Sequence, residues 1–364
     1  MLLLVFYSAA VLINCWYYYY FSKFSFSKNT SEIKNPATKD GVTVVVCAKN
    51  EAHNLENVIP QILNQKYPLF EIILVNDHST DTSLAVMQKF ANLNPNLKIL
   101  DLTHQSGKKS GITEAIATAS YEKILLTDAD CLPKSSSWIS LMSENLFGDK
   151  EFVFGYSGYK KQEKSWLNKI IRFETLFTAL QYFGYAENHN PYMGVGRNLC
   201  YLKTTFENAN GFEKHIHIKA GDDDLFVNQN ATATNVSLSY NPDSFTYSEP
   251  KKTWKEWFVQ KRRHTDVAKE YKPKHQLQLS LFYVSQFAVF ALAIAALISR
   301  QFLISVCVLI ICRTLFVWIV TSKAALKLNE KELIPFLPIL EAFLISLQML
   351  IFISNILVKP RSWN

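Results

Sequence analysis

The sequence has few cysteines, and their spacing gives no framework for a structural metal or a disulfide network. Three of the six lie in long apolar stretches and three are scattered: Cys15, Cys307 and Cys312, then Cys47, Cys131 and Cys200. Zinc sites draw on closely paired ligands, and the scattered cysteines form no such pair. We therefore expect reduced structural thiols.

Charged side chains are also missing from long parts of the chain. Residues 1–21 contain none, which is enough for a helix to cross a hydrocarbon core of about 30 Å. This stretch lacks the basic start and small-residue cleavage site of a signal peptide, which favours an uncleaved anchor. The stretches 279–298, 302–320 and 334–358 are also apolar. The sequence predicts an N-terminal transmembrane anchor (1–21) and a C-terminal transmembrane region (279–358) of about three helices.

Lysines lie where the first two apolar stretches join the segment between them. They follow the first in a polar linker (22–41) and precede the second at Lys272 and Lys274, so the positive-inside rule predicts a cytoplasmic domain on an integral protein of the plasma (inner) membrane. The basic tail (359–364) disagrees with a fourth complete crossing. Either the rule fails there, or the last stretch, which contains Pro335 and Pro338, is re-entrant or interfacial.

The segment between the membrane stretches alternates two patterns. Continuous β-branched and apolar runs, such as VTVVVCA at 42–48, recur as FEIILVND, LKILDLT and KILLTDA and predict strands that are buried on both faces. Helical spacing of apolar residues occupies the intervals 52–65, 81–93 and 110–119. The alternation predicts an α/β domain with a mainly parallel sheet.

Polar residues collect where the predicted strands end, which is where open α/β sheets bind ligands. Asp128 and Asp130 are one residue apart, so both project from one face within reach of one cation. Oxygen ligands suit Mg²⁺ or Mn²⁺, particularly with a diphosphate. The other reading is a solvated pair of turn carboxylates. Likewise, SGKKSG at 106–111 is either a phosphate-binding turn before a helix or an exposed lysine turn.

These motifs, in this order at strand ends, resemble glycosyltransferase family 2 over residues 42 to 266: KNE, VNDHSTD, GKK and D-x-D. The resemblance implies a GT-A fold, a nucleotide-sugar donor and inverting transfer. It also implies a role for individual residues. The donor would be bound by Glu51, Asp77, Lys109 and Asp128, and the metal by Asp130.

Two later stretches resemble the same family. PYMGVGRNLCY at 191–201 resembles its glycine-rich segment near the sugar and acceptor, with Gly194, Gly196 and Asn198 as acceptor-side positions; otherwise it is an ordinary loop. AGDDDLF at 220–226 resembles the motif that carries the catalytic base, which is Asp222, or Asp223 if the alignment shifts by one residue. The acidic run would otherwise cap a helix N-terminus.

The stretch TWKEWFVQKRRH at 253–264 resembles the Q-x-x-R-W motif of processive family members. Gln260 and Arg263 match as groups near the diphosphate, but His264 replaces the tryptophan associated with holding a polymer. This departure favours single or short-chain addition. The same stretch is a candidate interfacial helix, or its Lys261, Arg262 and Arg263 form a solvated or lipid-facing charge run without substrate contact. The amphipathic stretch 165–185 is a second candidate interfacial helix within a catalytic domain spanning 42–275, although core packing is the ordinary role of its apolar stripe.

We expect a membrane-bound, metal-dependent inverting glycosyltransferase. It would use a nucleotide sugar, preferably a UDP-sugar, and a lipid-linked or glycan acceptor. A processive polysaccharide synthase is the near alternative, and a nucleotidyltransferase or an inactive membrane scaffold is the alternative of another class. Positive charge concentrates at membrane flanks, which argues against nucleic acid as a partner.

Overall fold

The computed structural model describes residues 1–28, 40–103, 106–218, 220–264, 267–300 and 302–357. The basic tail predicted at 359–364 and most of the linker predicted at 22–41 lie outside these residues. The described chain forms two compact units. The first contains residues 1–28, 162–188 and 251–357, and the second contains residues 40–161 and 189–250.

A seven-stranded sheet organises the second unit, with the strand order β3-β2-β1-β4-β8-β6-β9, and a small sheet has the order β5-β10-β7. The first four strands are the predicted β-branched runs, and they pair in parallel. The strands are β1 (Val42–Ala48), β2 (Phe70–Asn76), β3 (Leu97–Asp101), β4 (Lys123–Asp128), β5 (Leu132–Pro133), β6 (Phe152–Gly155), β7 (Ser157–Tyr159), β8 (Leu199–Leu202), β9 (Val236–Ser239) and β10 (Thr246–Ser248). The predicted α/β class with a mainly parallel sheet is confirmed.

Helices cover the sheet and form most of the first unit. They are α1 (Leu2–Phe26), α2 (Ala52–Leu63), α3 (Ser83–Ala91), α4 (Lys108–Thr118), α5 (Trp138–Ser143), α6 (Trp166–Glu187), α7 (Lys203–Asn208), α8 (Asp224–Asn230), α9 (Trp254–His264), α10 (Pro273–Ser299), α11 (Leu303–Lys327) and α12 (Leu337–Leu357). Predicted and observed helices differ by a few residues at their ends, as expected where caps and fraying set the boundary.

The register of the parallel strands aligns their carboxyl ends. Cys47 of β1 pairs with Asp128 of β4, and Ala48 of β1 pairs with Asn76 of β2. Strand β8 then runs antiparallel to β4. The polar residues that follow β1, β2 and β4 therefore emerge at one edge of the sheet.

The first unit is built from apolar helices. Among the described residues, four helical segments are long and apolar enough to span a membrane: Leu2–Phe26, Pro273–Ser299, Leu303–Lys327 and Lys331–Asn355. Helix α6 belongs to this unit, and three members of its predicted stripe, Ile170, Phe173 and Phe177, are buried. Core packing thus accounts for most of that stripe, although Trp166 is 37% exposed.

Candidate active site

The loop after β1 is hydrogen-bonded to the loop after β2. Asn50 has a left-handed backbone (φ 58°), and its Oδ1 accepts hydrogen bonds from the backbone N–H groups of Thr80 (2.8 Å) and Asp81 (3.3 Å). The backbone N–H of Glu51 donates to Ser83 Oγ at 2.9 Å. These bonds fix the two loops beside one another and place the half-buried Glu51 at the carboxyl edge of the sheet.

Asp77, directly after β2, holds the beginning of α4. Its Oδ1 accepts a hydrogen bond of 3.0 Å from the backbone N–H of Gly107. Gly107 precedes the helix with φ 101°, a conformation that side chains other than glycine's rarely adopt. The Asp77 carboxylate therefore lies where an anion at the helix N-terminus would approach.

Lys108 joins two separate acidic motifs. Its Nζ lies 2.7 Å from Asp128 Oδ1 and 2.9 Å from Asp222 Oδ2. Burial acts to lower the pKa of Lys108, but the charges of Asp128, Asp222 and Asp223 outweigh it and hold the pKa well above its ordinary value. The D-x-D motif and the acidic run at 222–224 thus share one cationic contact.

Lys109 faces another way. Its side chain is buried, and its Nζ donates to His215 Nδ1 (2.7 Å) and to the backbone oxygens of His215 (2.6 Å) and Ile218 (2.8 Å). Of the two adjacent lysines, the resemblance gave the donor contact to Lys109, whereas the structure brings Lys108 to the carboxylates. The side-chain direction that separates the two lysines is invisible in the motif GKK.

A group of possible metal ligands follows β4. One ligand atom from each of Asp128, Asp130 and Cys131 lies within 4.8 Å of the others. Cys131 is buried, and burial followed by the charge of Asp130 raises the pKa of its thiol well above the ordinary value, so the thiol stays protonated and donates to Asp130 Oδ1 (3.4 Å). The two carboxylates of this group supply the oxygen ligands that suit Mg²⁺ or Mn²⁺.

The two candidate bases differ in their surroundings. Asp223 caps α8: its Oδ1 accepts from the backbone N–H of Asp224 (2.7 Å) and its Oδ2 from that of Gly196 (2.7 Å). Burial, and then the charge of Asp222, raises the pKa of Asp223. Asp222 instead faces Lys108. A Cβ on Gly196 would lie 3.5 Å from Asp222 Oδ2, so the glycine-rich stretch passes directly beside both carboxylates.

Asn198 lies inside the domain and has no exposed surface. Its Nδ2 donates to the backbone oxygens of Tyr156 (2.9 Å) and Ser244 (2.8 Å), and its Oδ1 accepts from Trp138 Nε1 (2.9 Å). An acceptor substrate has no access to this amide. Asn198 ties together the segments that carry the glycine-rich stretch.

Arg197 was not singled out from the sequence, although it is the one charged residue in PYMGVGRNLCY. Its guanidinium carbon lies 4.8 Å from the centroid of the Tyr159 ring. Burial acts to lower the pKa of Arg197, whereas Tyr159, Cys131 and the aspartates Asp130 and Asp128 act to raise it, and the net shift is upward. A second cation therefore faces the D-x-D motif.

Gln260 and Arg263 lie in α9, within the first unit. Gln260 is half-buried, and the side chain of Arg263 lies outside the described part of the chain. Elsewhere on this helix, Lys261 Nζ contacts Glu174 Oε2 of α6 at 2.8 Å. The proximity of Gln260 and Arg263 to a diphosphate stays a prediction.

The chain is similar in sequence and in fold to known glycosyltransferases. The family model described as glycosyl transferase family 2 matches residues 43–207. A poly-beta-1,6-N-acetyl-D-glucosamine synthase of Staphylococcus epidermidis is 27% identical over 126 residues, which are 35% of this chain and 30% of that protein. Its counterpart in Staphylococcus aureus (strain COL) is 28% identical over 128 residues, 35% of this chain and 31% of that protein. The matched part therefore spans about a third of the length of these relatives.

One solved structure resembles the chain over nearly its whole length. It is a mannosyltransferase, PcManGT from Pyrobaculum calidifontis, in complex with GDP-Man and Mn²⁺. It has a TM-score of 0.59 and 18% sequence identity, covering 94% of this chain and 97% of that one. At this identity, the likeness is one of fold.

Proposed function

Because residues 43–207 match the family model of glycosyl transferase family 2, we propose that the chain transfers a sugar from a nucleotide donor to a lipid-linked or glycan acceptor. The observation that carries the proposal is the position of Lys108 between Asp128 and Asp222, at 2.7 and 2.9 Å. A donor-binding motif and a candidate base, 94 residues apart in sequence (222 − 128 = 94), belong to one site.

Asp222 is the base in this proposal. It removes the proton of the acceptor hydroxyl while that oxygen attacks the anomeric carbon, and the bond to the diphosphate breaks on the opposite face. The configuration is inverted in one displacement. Asp223 is less suited, since both of its oxygens already accept backbone hydrogen bonds. It holds the start of α8 beside Asp222.

The diphosphate lies beside Lys108 in this proposal. Lys108 offsets its charge as the bond breaks, while Asp77 and Glu51 contact the nucleoside side of the donor. Lys108 replaces Lys109 as the donor-binding lysine, since Lys109 is engaged inside the domain. Asp130, with Asp128 beside it, holds a divalent cation, which supplies additional positive charge to the departing diphosphate.

The names of the relatives bear on the proposed donor and cation. We favour a UDP-sugar, in agreement with the N-acetylglucosamine polymer in the names of the staphylococcal relatives. Mg²⁺ or Mn²⁺ is the proposed cation, and Mn²⁺ accompanies GDP-Man in the mannosyltransferase of similar fold. The flanking lysines favour a cytoplasmic catalytic domain at the plasma (inner) membrane.

A processive polysaccharide synthase is the second candidate, and the names of the staphylococcal relatives favour it. His264 in place of the family tryptophan favours single or short-chain addition. The length of product formed at a large excess of donor over acceptor separates the two. One product of fixed length supports single addition, and a distribution that lengthens with time supports the synthase.

The test of the proposal is nucleotide release by the detergent-purified full chain. It is offered a panel of UDP- and GDP-sugars with Mn²⁺ or Mg²⁺ and a membrane lipid extract as acceptor source. We expect metal-dependent release of nucleotide from one donor. The rate of release falls about 10²- to 10⁴-fold in Asp222→Asn. In Asp130→Asn, added Mn²⁺ or Mg²⁺ no longer raises the rate of release. Asp243→Asn is the matched control, because that exposed carboxylate pairs only with Lys134 among the described contacts.

Three results would count against the proposal. Pyrophosphate release from a nucleoside triphosphate indicates a nucleotidyltransferase. Retained release in Asp222→Asn assigns the base elsewhere. Absence of both donor binding and release in the unaltered protein indicates a scaffold.

A further inference from the structure

Lys109 has a complete set of hydrogen-bond acceptors inside the catalytic domain. An ammonium group has three N–H donors, and Nζ of Lys109 meets His215 Nδ1, the His215 carbonyl and the Ile218 carbonyl at 2.6 to 2.8 Å. Only 5% of the residue is exposed. We refer to Lys109, His215 and Ile218 joined in this way as the lysine clasp.

The clasp requires a neutral His215. Its Nδ1 accepts from a cation, so the ring proton must reside on Nε2. His215 is 2% exposed, and burial followed by the charge of Lys109 lowers its pKa to about 4. The imidazole is therefore neutral at neutral pH. It accepts a hydrogen bond from Lys109 and does not repel the ammonium charge.

The clasp connects the chain segment that carries Lys108 with the chain segment that leads to Asp222. On one side, Lys109 directly follows Lys108 at the start of α4, and Lys108 contacts Asp222. On the other side, Ile218 precedes Asp222 by four residues (222 − 218 = 4). The same contact therefore restrains the helix that carries the lysine and the segment that carries the proposed base.

We propose that Lys109 is a positioning residue that sets the placement of Asp222 against the bound donor, through the lysine clasp. The inference rests on the proposed function, because it takes Asp222 as the base. It separates the roles of two adjacent lysines: Lys108 contacts the reacting groups, and Lys109 fixes the geometry in which they meet.

Replacing Lys109 with methionine keeps the length of the side chain and removes its three donors. We expect kcat of Lys109→Met to fall about tenfold to a hundredfold, since misplacement of a catalytic group by about 1 Å has effects of this size. The KM and directly titrated affinity for the donor stay within about threefold. Lys203→Met is the control, because Lys203 also donates to a backbone carbonyl, that of Ala119 at 3.0 Å, outside the site.

Variants of His215 test the same contact from its other end. In His215→Asn, the side-chain oxygen can take the position of Nδ1, so most of kcat is retained. In His215→Leu that acceptor is gone, and kcat falls as in Lys109→Met. Equal loss in both His215 variants contradicts the clasp.

A readout independent of turnover is the hydrogen–deuterium exchange of the His215 ring at C2, followed by mass spectrometry against pH. We expect the apparent pKa of His215 to rise in Lys109→Met, since a facing positive charge is removed, and to stay unchanged in Lys203→Met. An unchanged pKa in Lys109→Met overturns the clasp, even if the protein shows no transferase activity.

The kinetic outcome distinguishes the inference from the proposed function. If the unaltered protein releases nucleotide and Lys109→Met loses donor affinity at unchanged kcat, Lys109 is a donor-binding residue and the inference is wrong. If the unaltered protein releases nucleotide from no donor, the proposed function fails, and the assignment of Lys109 to the placement of a base fails with it. The clasp itself is then decided by the His215 exchange.

Discussion

At the scale of single residues, the candidate site depends on the absence of a side chain at Gly196. The backbone N–H of Gly196 donates to Asp223 Oδ2, and an added Cβ would lie 3.2 Å from Asp223 Cβ and 3.5 Å from Asp222 Oδ2. The contact with Asp223 requires a neighbour to shift by a few tenths of an ångström, whereas the contact with Asp222 Oδ2 has an ordinary van der Waals length. A shift of Asp223 would act on the proposed base through the start of α8, which Asp223 caps beside Asp222.

We therefore expect Gly196→Ala to lower kcat about tenfold and to change the free energy of unfolding by less than about 1 kcal/mol. Steady-state kinetics and thermal unfolding of the purified protein measure the two effects. Gly194→Ala is the contrasting variant, because its Cβ meets apolar Leu199 (3.1 Å) and Phe154 (3.3 Å), so its cost is expected in stability. Unaltered kcat in Gly196→Ala contradicts the placement of Asp222 through Asp223.

At the scale of secondary-structure elements, Asn198 joins three parts of the catalytic domain. It bonds the indole of Trp138 in α5, the carbonyl of Tyr156 between β6 and β7, and the carbonyl of Ser244 before β10. All three partner groups belong to the domain interior. Asn198 therefore links the glycine-rich stretch that precedes β8 to three other segments of the domain.

Replacement of Asn198 by leucine leaves an indole N–H and two carbonyl groups without their partner. Because each buried polar group left unpaired costs about 1–3 kcal/mol, we expect Asn198→Leu to lower the free energy of unfolding by about 3–5 kcal/mol. Thermal unfolding measures this loss. Asn145→Leu is the control, since the amide of the half-buried Asn145 donates to one carbonyl of its own helix region, that of Leu141. A large selective rise in acceptor KM without loss of stability would instead restore the acceptor-side role.

At the scale of the whole molecule, the first unit, here called the apolar-helix unit, and the second unit, which carries the candidate active site, each have an interior of their own. In the apolar-helix unit, one buried polar network includes a residue from each of α1, α10, α11 and α12: Asn14, Gln286, Arg313 and Glu341. Arg313 Nη1 lies 2.6 Å from Glu341 Oε2. Charged groups within apolar helices are tolerated when they are paired in this way.

Removal of one partner of this ion pair leaves the other buried and uncompensated. We expect Arg313→Met to destabilise the detergent-purified protein by about 3–5 kcal/mol and the double variant Arg313→Met/Glu341→Leu to recover part of the loss. Lys323→Met, at an exposed position of the same helix, is the control. The measurement is the thermal loss of the monodisperse species on size exclusion, and equal destabilisation in single and double variants would exclude a coupled pair.

The elements of both units were predictable from local sequence. Continuous β-branched runs bury both faces only in a covered parallel sheet, so β1 to β4 were placed nearly residue by residue. Apolar stretches of about 20 residues with at most one charged side chain have few alternatives to long apolar helices. The order of motifs at the strand ends then indicated the resemblance to glycosyltransferase family 2, because ligands bind at strand ends in such sheets.

The directions of individual side chains were decided by the tertiary structure. Lys108 and Lys109 are equivalent in the motif GKK, but successive residues of a helix point about 100° apart. One therefore reaches Asp128 and Asp222, while the other is buried against His215. The sequence likewise predicts only a loop around Asn198. Its burial depends on Trp138, Tyr156 and Ser244, which are distant in sequence.

The sequence by itself determined the resemblance to glycosyltransferase family 2, the α/β class and the four apolar helices, since each follows from patterns within a short window of residues. Only the tertiary structure decided which lysine meets the carboxylates, which aspartate caps α8 and which amide is sealed in the core. The physical reason is that burial, pairing and pKa depend on contacts between segments far apart in the chain, and local composition does not record those contacts.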